Sequence, residues 1–488
     1  MSAPDAYVVG SGPNGLAAAV TLARSGLAVT VIEAKGQWGG GLRSSQLTLP
    51  GFIHDEFAAI HPMALASPFF QAWGLRDRVN FVVPETSYAH PLPSGVVYAH
   101  RDLEATVEGL GDVRGSGRTW RELFRPLVEQ IDALSDLTLG SLWNVPKDPG
   151  LAARLGYTTL NLAETFWRNT LRDPRARALL AGVSAHAVGK MPSLSVIGAG
   201  TVLAAHAHAR GWGIPVGGSQ RIADALVADI VAHGGSIELG QTVDSLDELA
   251  DARVVLLDVA PRALLTIAGD RFPPRYRKKL EKFRHGNAAA RVDFALDGPV
   301  PWLDPELRVP AALHLGGTWN QIKHSEREVD RGRHPDNPYV LLAQPTVHDP
   351  SRAPGGKHIV WAYTHVPAGS VRKPTETITA AIERLAPGFR DRILQSRGSS
   401  ARDLFVSNAN LVEGDITGGA MTLQQMVARP VLSSDPWRTP ARGIYVCSAS
   451  SAPGPGVHGM AGWNAALSAL RHEFGLGDPF GRVPAART

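Results

Sequence analysis

Apolar and polar residues alternate with two different periods near the start of the chain. Residues 5–9 form a short apolar run that predicts a buried strand, and residues 16–24 are rich in helix formers and stop at Gly26. A second apolar run over residues 27–32 ends at Glu33. A strand, a helix and a strand in this order predict a βαβ unit with two parallel strands.

The turn between the first strand and the helix carries glycines at the positions that a dinucleotide needs. Gly10 permits a tight turn, Gly12 lets the backbone approach a pyrophosphate, and Gly15 lets the helix pack closely on the strand. Glu33 is predicted to accept hydrogen bonds from the adenosine ribose and to disfavour a 2′-phosphate. Three neighbours complete the predicted contacts: Pro13, Asn14 and Ala34.

The segment after Glu33 favours FAD over NAD. Glycines at positions 39–41 return the chain to the pyrophosphate, so Gly40 and Gly41 are predicted to lie beside it. Arg43 follows and is predicted to neutralise phosphate charge. This extension is unusual in simple NAD enzymes and typical of FAD proteins of the glutathione reductase type.

Later segments repeat the composition of the first unit. Apolar residues at helical spacing predict a helix after Ser219, which is a predicted N-cap, and strands are predicted at 236–239, around Val243 and at 254–257. The apolar positions of that helix are Ile222, Leu226, Val227, Ile230 and Val231. Residues 443–466 predict a strand, a glycine- and proline-rich loop, and a helix beginning near Met460. Its N-terminal amides are predicted to face the flavin pyrimidine ring.

These patterns predict an α/β fold with a discontinuous Rossmann-type FAD-binding domain and an α+β substrate or cap domain. The FAD-binding domain is predicted at residues 1–66, 212–290 and 401–475. Helical patterns at 67–211 and alternating patterns at 291–400 predict the substrate domain, and residues 476–488 form a C-terminal tail.

Composition narrows the choice of partner and compartment. Lys and Arg number 49 against 45 Asp and Glu, without a basic block, so no nucleic-acid partner is predicted. Cys447 is the sole cysteine, which excludes an internal disulfide and favours a cytoplasmic location. The nearest candidate for a membrane span, residues 191–205, is shorter than the roughly 18 residues required. Peripheral membrane contact and oligomeric state stay open, and no metal site is predicted.

The sequence resembles the phytoene desaturase-like flavoproteins, and is most similar to the branch named pyridine nucleotide-disulphide oxidoreductase domain proteins. That name fits poorly because the chain lacks a cysteine pair. The resemblance covers nearly the whole chain, and Ser448 and Ala449 depart from the Gly followed by Asp, Glu or Ala that is frequent in such proteins. It rests on residues 8–19, Glu33 with 39–41, 51–70, 215–226, 344–367, 408–421 and 443–466.

The resemblance implies FAD contacts, an activity and candidate catalytic groups. The implied contacts are those named above, a backbone contact to adenine near Val243, and contacts to the isoalloxazine end from Gly456, Val457, His458, Gly459 and Met460. The implied reaction is desaturation, saturation or isomerisation of a hydrophobic isoprenoid-like substrate, with hydride transferred at flavin N5. The candidate catalytic residues are His458, His61, Tyr363 and His365.

Two other functions stay open. A flavin amine or amino-acid oxidase shares the N-terminal motifs, and predicts an amine or carboxylate pocket and release of hydrogen peroxide. A non-catalytic scaffold that binds FAD predicts a flavin that no donor reduces.

Overall fold

A computed structural model describes residues 3–163 and 170–481. Part of the predicted tail, residues 482–488, lies outside the described residues. The strands are β1 Ala6–Val9, β2 Val29–Glu33, β3 Ser44–Ser45, β4 His54–Asp55, β5 Phe81–Val82, β6 Thr86–Leu92, β7 Gly95–His100, β8 Ile214–Pro215, β9 Ser236–Leu239, β10 Val254–Leu257, β11 Ala288–Leu296, β12 Ala312–Leu315, β13 Val340–Ala343, β14 His358–Val366, β15 Ile393–Ser399 and β16 Ile444–Val446.

Helices lie between and after these strands. They are α1 Pro13–Arg24, α2 Pro68–Trp73, α3 Leu75–Arg78, α4 Leu103–Leu110, α5 Ser116–Val128, α6 Ile131–Thr138, α7 Pro149–Leu162, α8 Pro174–Ala185, α9 Leu194–Ala209, α10 Gln220–Ala232, α11 Pro261–Ala268, α12 Pro274–Glu281, α13 Trp319–Asp330, α14 Pro345–His348, α15 Thr375–Glu383, α16 Ala401–Ser407, α17 Leu423–Val427 and α18 Met460–Ala469. Across the described residues, no helix is both long and apolar enough to span a bilayer.

A five-stranded parallel sheet forms the first layer, in the order β16-β10-β1-β2-β9. Helices α1, α10 and α18 pack together on one face, and α11 belongs to the apolar cluster on the other. Strands from three distant parts of the chain therefore build one Rossmann-type sheet. The predicted α/β class is confirmed.

A seven-stranded mixed sheet forms the second part, in the order β15-β11-β14-β13-β12-β6-β7. The only parallel pair in it is β12 with β6. Helix α15 contributes to the apolar cluster on one face, whereas α5, α8, α9 and α13 belong to the cluster on the other. Strand β11 begins at Ala288, inside the segment 212–290 that was assigned to the FAD-binding domain, and the domain boundaries stay a prediction.

Two local expectations were wrong, and a third was right only in part. The Val243 region forms no strand. Val231 is exposed rather than buried, because helix α10 turns it away from the sheet. Ser219 occupies the predicted N-cap position of α10, but its side chain makes no capping hydrogen bond, since its hydroxyl donates to the carbonyl oxygen of Ala58 instead.

Candidate active site

The turn between β1 and α1 depends on close backbone approach. A Cβ on Gly15 would lie 2.0 Å from the carbonyl oxygen of Gly10, so a side chain there would push α1 off the strand. Gly40 approaches the same turn with φ +53°, where a Cβ would lie 2.7 Å from the Cα of Gly12. The N-terminal amides of α1 and the positive end of its dipole suit the pyrophosphate of a dinucleotide.

Glu33 lies at the end of β2 and lines the cavity beside this turn. Its Oε2 accepts hydrogen bonds from the amide and hydroxyl of Ser11 at 2.9 and 2.6 Å, and its Oε1 accepts from the Lys35 amide at 2.9 Å. These three donors fix the carboxylate. A carboxylate has about four lone-pair positions, so Glu33 still has capacity for a ribose hydroxyl.

Asp258 is a residue of this site that the sequence analysis missed. It follows β10, and its Oδ2 accepts a hydrogen bond from the Gly15 amide at 3.0 Å. Burial and the charge of Glu33 together raise the pKa of Asp258 to about 7, against the opposing effect of the Gly15 amide. The available signal was its position, because Asp258 ends an apolar run just as Glu33 does.

Arg43 lines the cavity, but its charge is already compensated. The guanidinium pairs with Glu56 at 3.1 Å, and also donates to the carbonyl and hydroxyl oxygens of Ser407 at 3.2 and 2.9 Å. The predicted neutralisation of phosphate would therefore require Arg43 to share its donors with Glu56.

A cavity of about 900 Å³ extends from the nucleotide turn into the region between α9 and the seven-stranded sheet. Most predicted residues line it: Gly10, Gly12, Pro13, Asn14, Glu33, Ala34, Gly40, Gly41, Arg43, Val243, Gly456, Val457, His458, His61 and Tyr363. Four predicted residues do not line it: Gly15, Gly459, Met460 and His365.

The far part of the cavity, which we call the apolar arm, lies between two walls. Helix α9 contributes one wall through Leu194, Gly198, Ala199, Val202 and Leu203, and strands β13 and β14 contribute Leu341, Trp361 and Tyr363. Leu155, Trp212 and His186 also line the arm. The sequence analysis missed His186, because nothing in its local sequence distinguishes it among 17 histidines.

His458 caps the helix that follows it. Its Nδ1 accepts a hydrogen bond from the Met460 amide at 3.1 Å, at the start of α18. Burial lowers the pKa of His458 to about 4, so the ring is neutral at pH 7 and carries its proton on Nε2. With the Nδ1 lone pair engaged, this ring can donate a hydrogen bond but has no lone pair for proton abstraction.

His61 is held in one tautomer by its neighbour. The Ser219 hydroxyl donates to the Ala58 carbonyl at 2.5 Å, so it can only accept from His61 Nε2 at 2.8 Å. Burial lowers the pKa of His61 to about 4, and its Nδ1 is buried without a hydrogen-bond partner. His61 lies at the cavity wall with both nitrogens enclosed.

The other two candidate residues lie on the same face of β14, with their ring centroids 5.7 Å apart. The Tyr363 ring lines the cavity, with burial raising the pKa of its hydroxyl. His365 does not line the cavity, and its Nδ1 lies 2.9 Å from each carboxylate oxygen of the fully buried Glu326. The structure therefore brings Tyr363, His61 and His458 to one cavity and leaves His365 outside it.

The sequence profile of the family described as flavin containing amine oxidoreductase matches residues 14–466. The chain belongs to this family. A rat relative named pyridine nucleotide-disulfide oxidoreductase domain-containing protein 2 is 27% identical and aligns with 96% of this chain and 93% of its own. Phytoene dehydrogenase of Streptomyces griseus is also 27% identical, over 79% of this chain and 77% of its own. The predicted resemblance to phytoene desaturase-like flavoproteins is confirmed.

A solved structure supports the same fold. The oxidoreductase from Methanosarcina mazei superposes with a TM-score of 0.61 at 18% identity, covering 96% of this chain and 99% of that one. Family membership makes the protein an FAD-dependent oxidoreductase. The residues present fit that cofactor, because the close approach at Gly15 keeps the turn over α1 free of side chains, and the buried Asn14 Oδ1 beside it has no hydrogen-bond partner among the described residues.

Proposed function

We propose that the protein desaturates a long hydrophobic, isoprenoid-like molecule, or catalyses the reverse saturation or an isomerisation. The observation that carries this proposal is the continuity of one cavity from the nucleotide turn into the apolar arm. A hydrocarbon chain in the arm would be stabilised by about 25 cal/mol for each Å² of apolar surface removed from water. The name of the Streptomyces griseus relative supports the same substrate class.

The charges around the cavity argue against an amine substrate. Among the described lining residues, the carboxylates Glu33, Asp244 and Asp258 lie at the nucleotide end, and Glu56 is paired with Arg43. An ammonium group in the apolar arm would meet no unpaired carboxylate, and its desolvation would be expensive. Amine oxidation is therefore the less supported alternative.

The protein's own groups bind and orient the substrate and exclude water. Leucine, valine and tryptophan side chains of the apolar arm hold an extended chain without polar contacts. When bound, FAD supplies the acceptor or donor of hydride. That the predicted lining residues contact FAD is part of this proposal.

Anaerobic reduction of the FAD-loaded protein distinguishes the functions. Phytoene in detergent micelles is expected to bleach the visible band of oxidised flavin, whereas putrescine and cyclohexylamine are expected to leave it unchanged. Bleaching by an amine, with hydrogen peroxide formed on admitting air, would establish the oxidase instead. If dithionite reduces the flavin but no organic donor reduces it, the non-catalytic scaffold would be favoured.

A further inference from the structure

Two histidines meet at the wall of the apolar arm. His186 directly follows α8 and lines the cavity, and His314 lies on β12 with no exposed surface. Their Nε2 atoms are 2.8 Å apart, and their rings are nearly perpendicular, with an interplanar angle of 79°. This distance is that of a hydrogen bond between two imidazoles.

The contact couples the protonation of the two rings. Of two Nε2 atoms that share one hydrogen bond, one carries the hydrogen and the other accepts it. When His186 donates, its Nδ1 carries a free lone pair. His186 is half-buried whereas His314 is fully buried, so the accessible side of the His186 ring is the one turned away from His314.

The other histidines near the cavity do not offer such a lone pair. His458 uses Nδ1 to cap α18, and its Nε2 is enclosed. His61 is fixed by Ser219 and has its Nδ1 enclosed, while His365 pairs with Glu326 and has its Nε2 enclosed. Among the histidines considered for catalysis, His186 is the one with a nitrogen open to the cavity.

Desaturation requires a proton acceptor beside the reacting carbons. Two neighbouring carbons each lose one hydrogen: one leaves as hydride with two electrons to FAD, and the other leaves as a proton while its C–H electron pair forms the double bond. We propose that His186 accepts this proton on Nδ1 and that His314 is the positioning residue that holds its ring. This inference rests on the proposed function and names the base for it.

The surroundings hold both rings in place. The Trp212 ring packs against His186 at 5.1 Å between ring centroids, and a Cβ on Gly182 would lie 2.5 Å from His314 Nδ1, so only glycine there admits the ring. Other groups that face the pair are Tyr88 and His90 of β6, Tyr339 before β13, and His365 of β14 with Glu326 of α13 behind it.

Neither ring carries a proton charge at neutral pH. Burial, together with nearby His365, lowers the pKa of His186 to about 3, so the ring is uncharged at pH 7. A weak base is sufficient here, because loss of hydride makes the neighbouring C–H strongly acidic. Burial also lowers the pKa of His314 well below its usual range, so both rings are uncharged at pH 7.

The test compares three FAD-loaded variants: His186→Ala, His314→Gln and His208→Ala. His208 is a buried histidine on α9 that does not line the cavity, so it controls for loss of a buried ring. With phytoene as the anaerobic donor, His186→Ala is expected to reduce its flavin about a hundredfold more slowly or worse. Its FAD content should stay unchanged. Added imidazole should restore the rate of His186→Ala and not alter that of His208→Ala.

The outcomes separate this inference from the proposed function. A wild type that phytoene cannot reduce overturns both. If phytoene reduces the wild type, the inference alone is overturned by either of two results. The first is that His186→Ala is reduced equally fast, and the second is that imidazole does not change its rate. His314→Gln is expected to slow reduction less than His186→Ala and to change the pH dependence of the rate.

A second measurement needs no variant and no turnover. Diethyl pyrocarbonate modifies accessible, unprotonated imidazole nitrogens, so the FAD-loaded wild type should be modified at His186, with phytoene slowing that modification. His61, His365 and His458 should resist in the native protein. Resistance of His186 under conditions that modify exposed histidines would overturn the inference even where a variant fails to fold.

Discussion

Asp258 places a buried carboxylate beside the turn proposed to receive the FAD pyrophosphate. Its pKa is raised to about 7, so it loses its proton near neutral pH while the phosphates stay negative. Phosphate charge would raise this pKa further, so FAD binding takes up a proton. We predict that FAD affinity falls as pH rises above 7, by up to about tenfold per pH unit. Titration of the apoprotein with FAD at each pH, followed by quenching of flavin fluorescence, measures this affinity.

Asp258→Asn is the matched variant for this effect. Asparagine keeps an oxygen to accept the Gly15 amide but cannot ionise, so its FAD affinity should be independent of pH between 6 and 9. The apoprotein gives a second readout. A raised carboxyl pKa stabilises the fold below about pH 4, and that contribution is lost as pH rises to about 7. Equal pH dependence in wild type and variant would contradict this account.

Single residues of the site were predictable where their roles are local. Gly10, Gly12, Gly15 and Glu33 belong to one strand-turn-helix-strand pattern, and each role follows from its place in that pattern. The Ser407 partner of Arg43 could not be predicted in this way. Ser407 lies 364 residues from Arg43 and meets it only after distant segments have packed, whereas Glu56 meets it across the short β3–β4 pair.

Helix α9 shows the same distinction at the scale of an element. Its sequence is apolar nearly throughout, and it overlaps residues 191–205, the nearest candidate for a membrane span. The structure gives the physical reason. One side of the helix packs in the core through residues such as Ile197 and Ala204, and the other side lines the apolar arm through Gly198 and Val202. Sequence alone cannot separate a buried face from a cavity face.

We predict that Gly198→Leu narrows the apolar arm. A Cβ there would meet only Thr159, at 3.6 Å, so the added side chain extends into the cavity without displacing the backbone. Apparent affinity for phytoene should fall about tenfold or more, which corresponds to about 1.4 kcal/mol. FAD content should not change. The dependence of the anaerobic reduction rate on phytoene concentration measures the effect.

Gly156→Leu on α7 is the matched control. Gly156 is exposed and does not line the cavity, and a Cβ on it would meet no atom within 4 Å. Both substitutions should stabilise the helices that carry them by up to about 1 kcal/mol, because glycine is a poor helix former. Equal phytoene affinity in the two variants would show that the substrate does not occupy the apolar arm.

The whole molecule depends on contacts that join its two large sheets. Asp55 lies on β4, which follows strands β1 and β2 of the parallel sheet in sequence. It accepts a hydrogen bond from the Ser219 amide at 2.8 Å. It also pairs with Arg352, 297 residues away, at 2.7 Å, and both side chains are fully buried. The distant partner of Asp55 could not be foreseen, because β11, β14 and the segment around Arg352 are brought together by the register of the second sheet.

We predict that Arg352→Met destabilises the protein by about 3–5 kcal/mol, because it leaves the Asp55 carboxylate buried without its cation. Arg352 and the amide and hydroxyl donors around Asp55 lower the pKa of that carboxyl although burial alone would raise it. This pair therefore stabilises the fold above about pH 4, and the contribution is lost as pH falls through the lowered pKa. Urea unfolding, followed by circular dichroism and by flavin release, measures the loss.

The double variant Asp55→Asn, Arg352→Met separates the ion pair from the packing. Asparagine keeps an oxygen for the Ser219 amide and the Ser44 hydroxyl, so the double variant should recover part of the stability that Arg352→Met loses. A loss below about 1 kcal/mol in Arg352→Met would mean that water reaches Asp55 when Arg352 is removed. The junction between the sheets would then be held by apolar contacts. FAD release would show the same urea dependence in the wild type, in Arg352→Met and in the double variant.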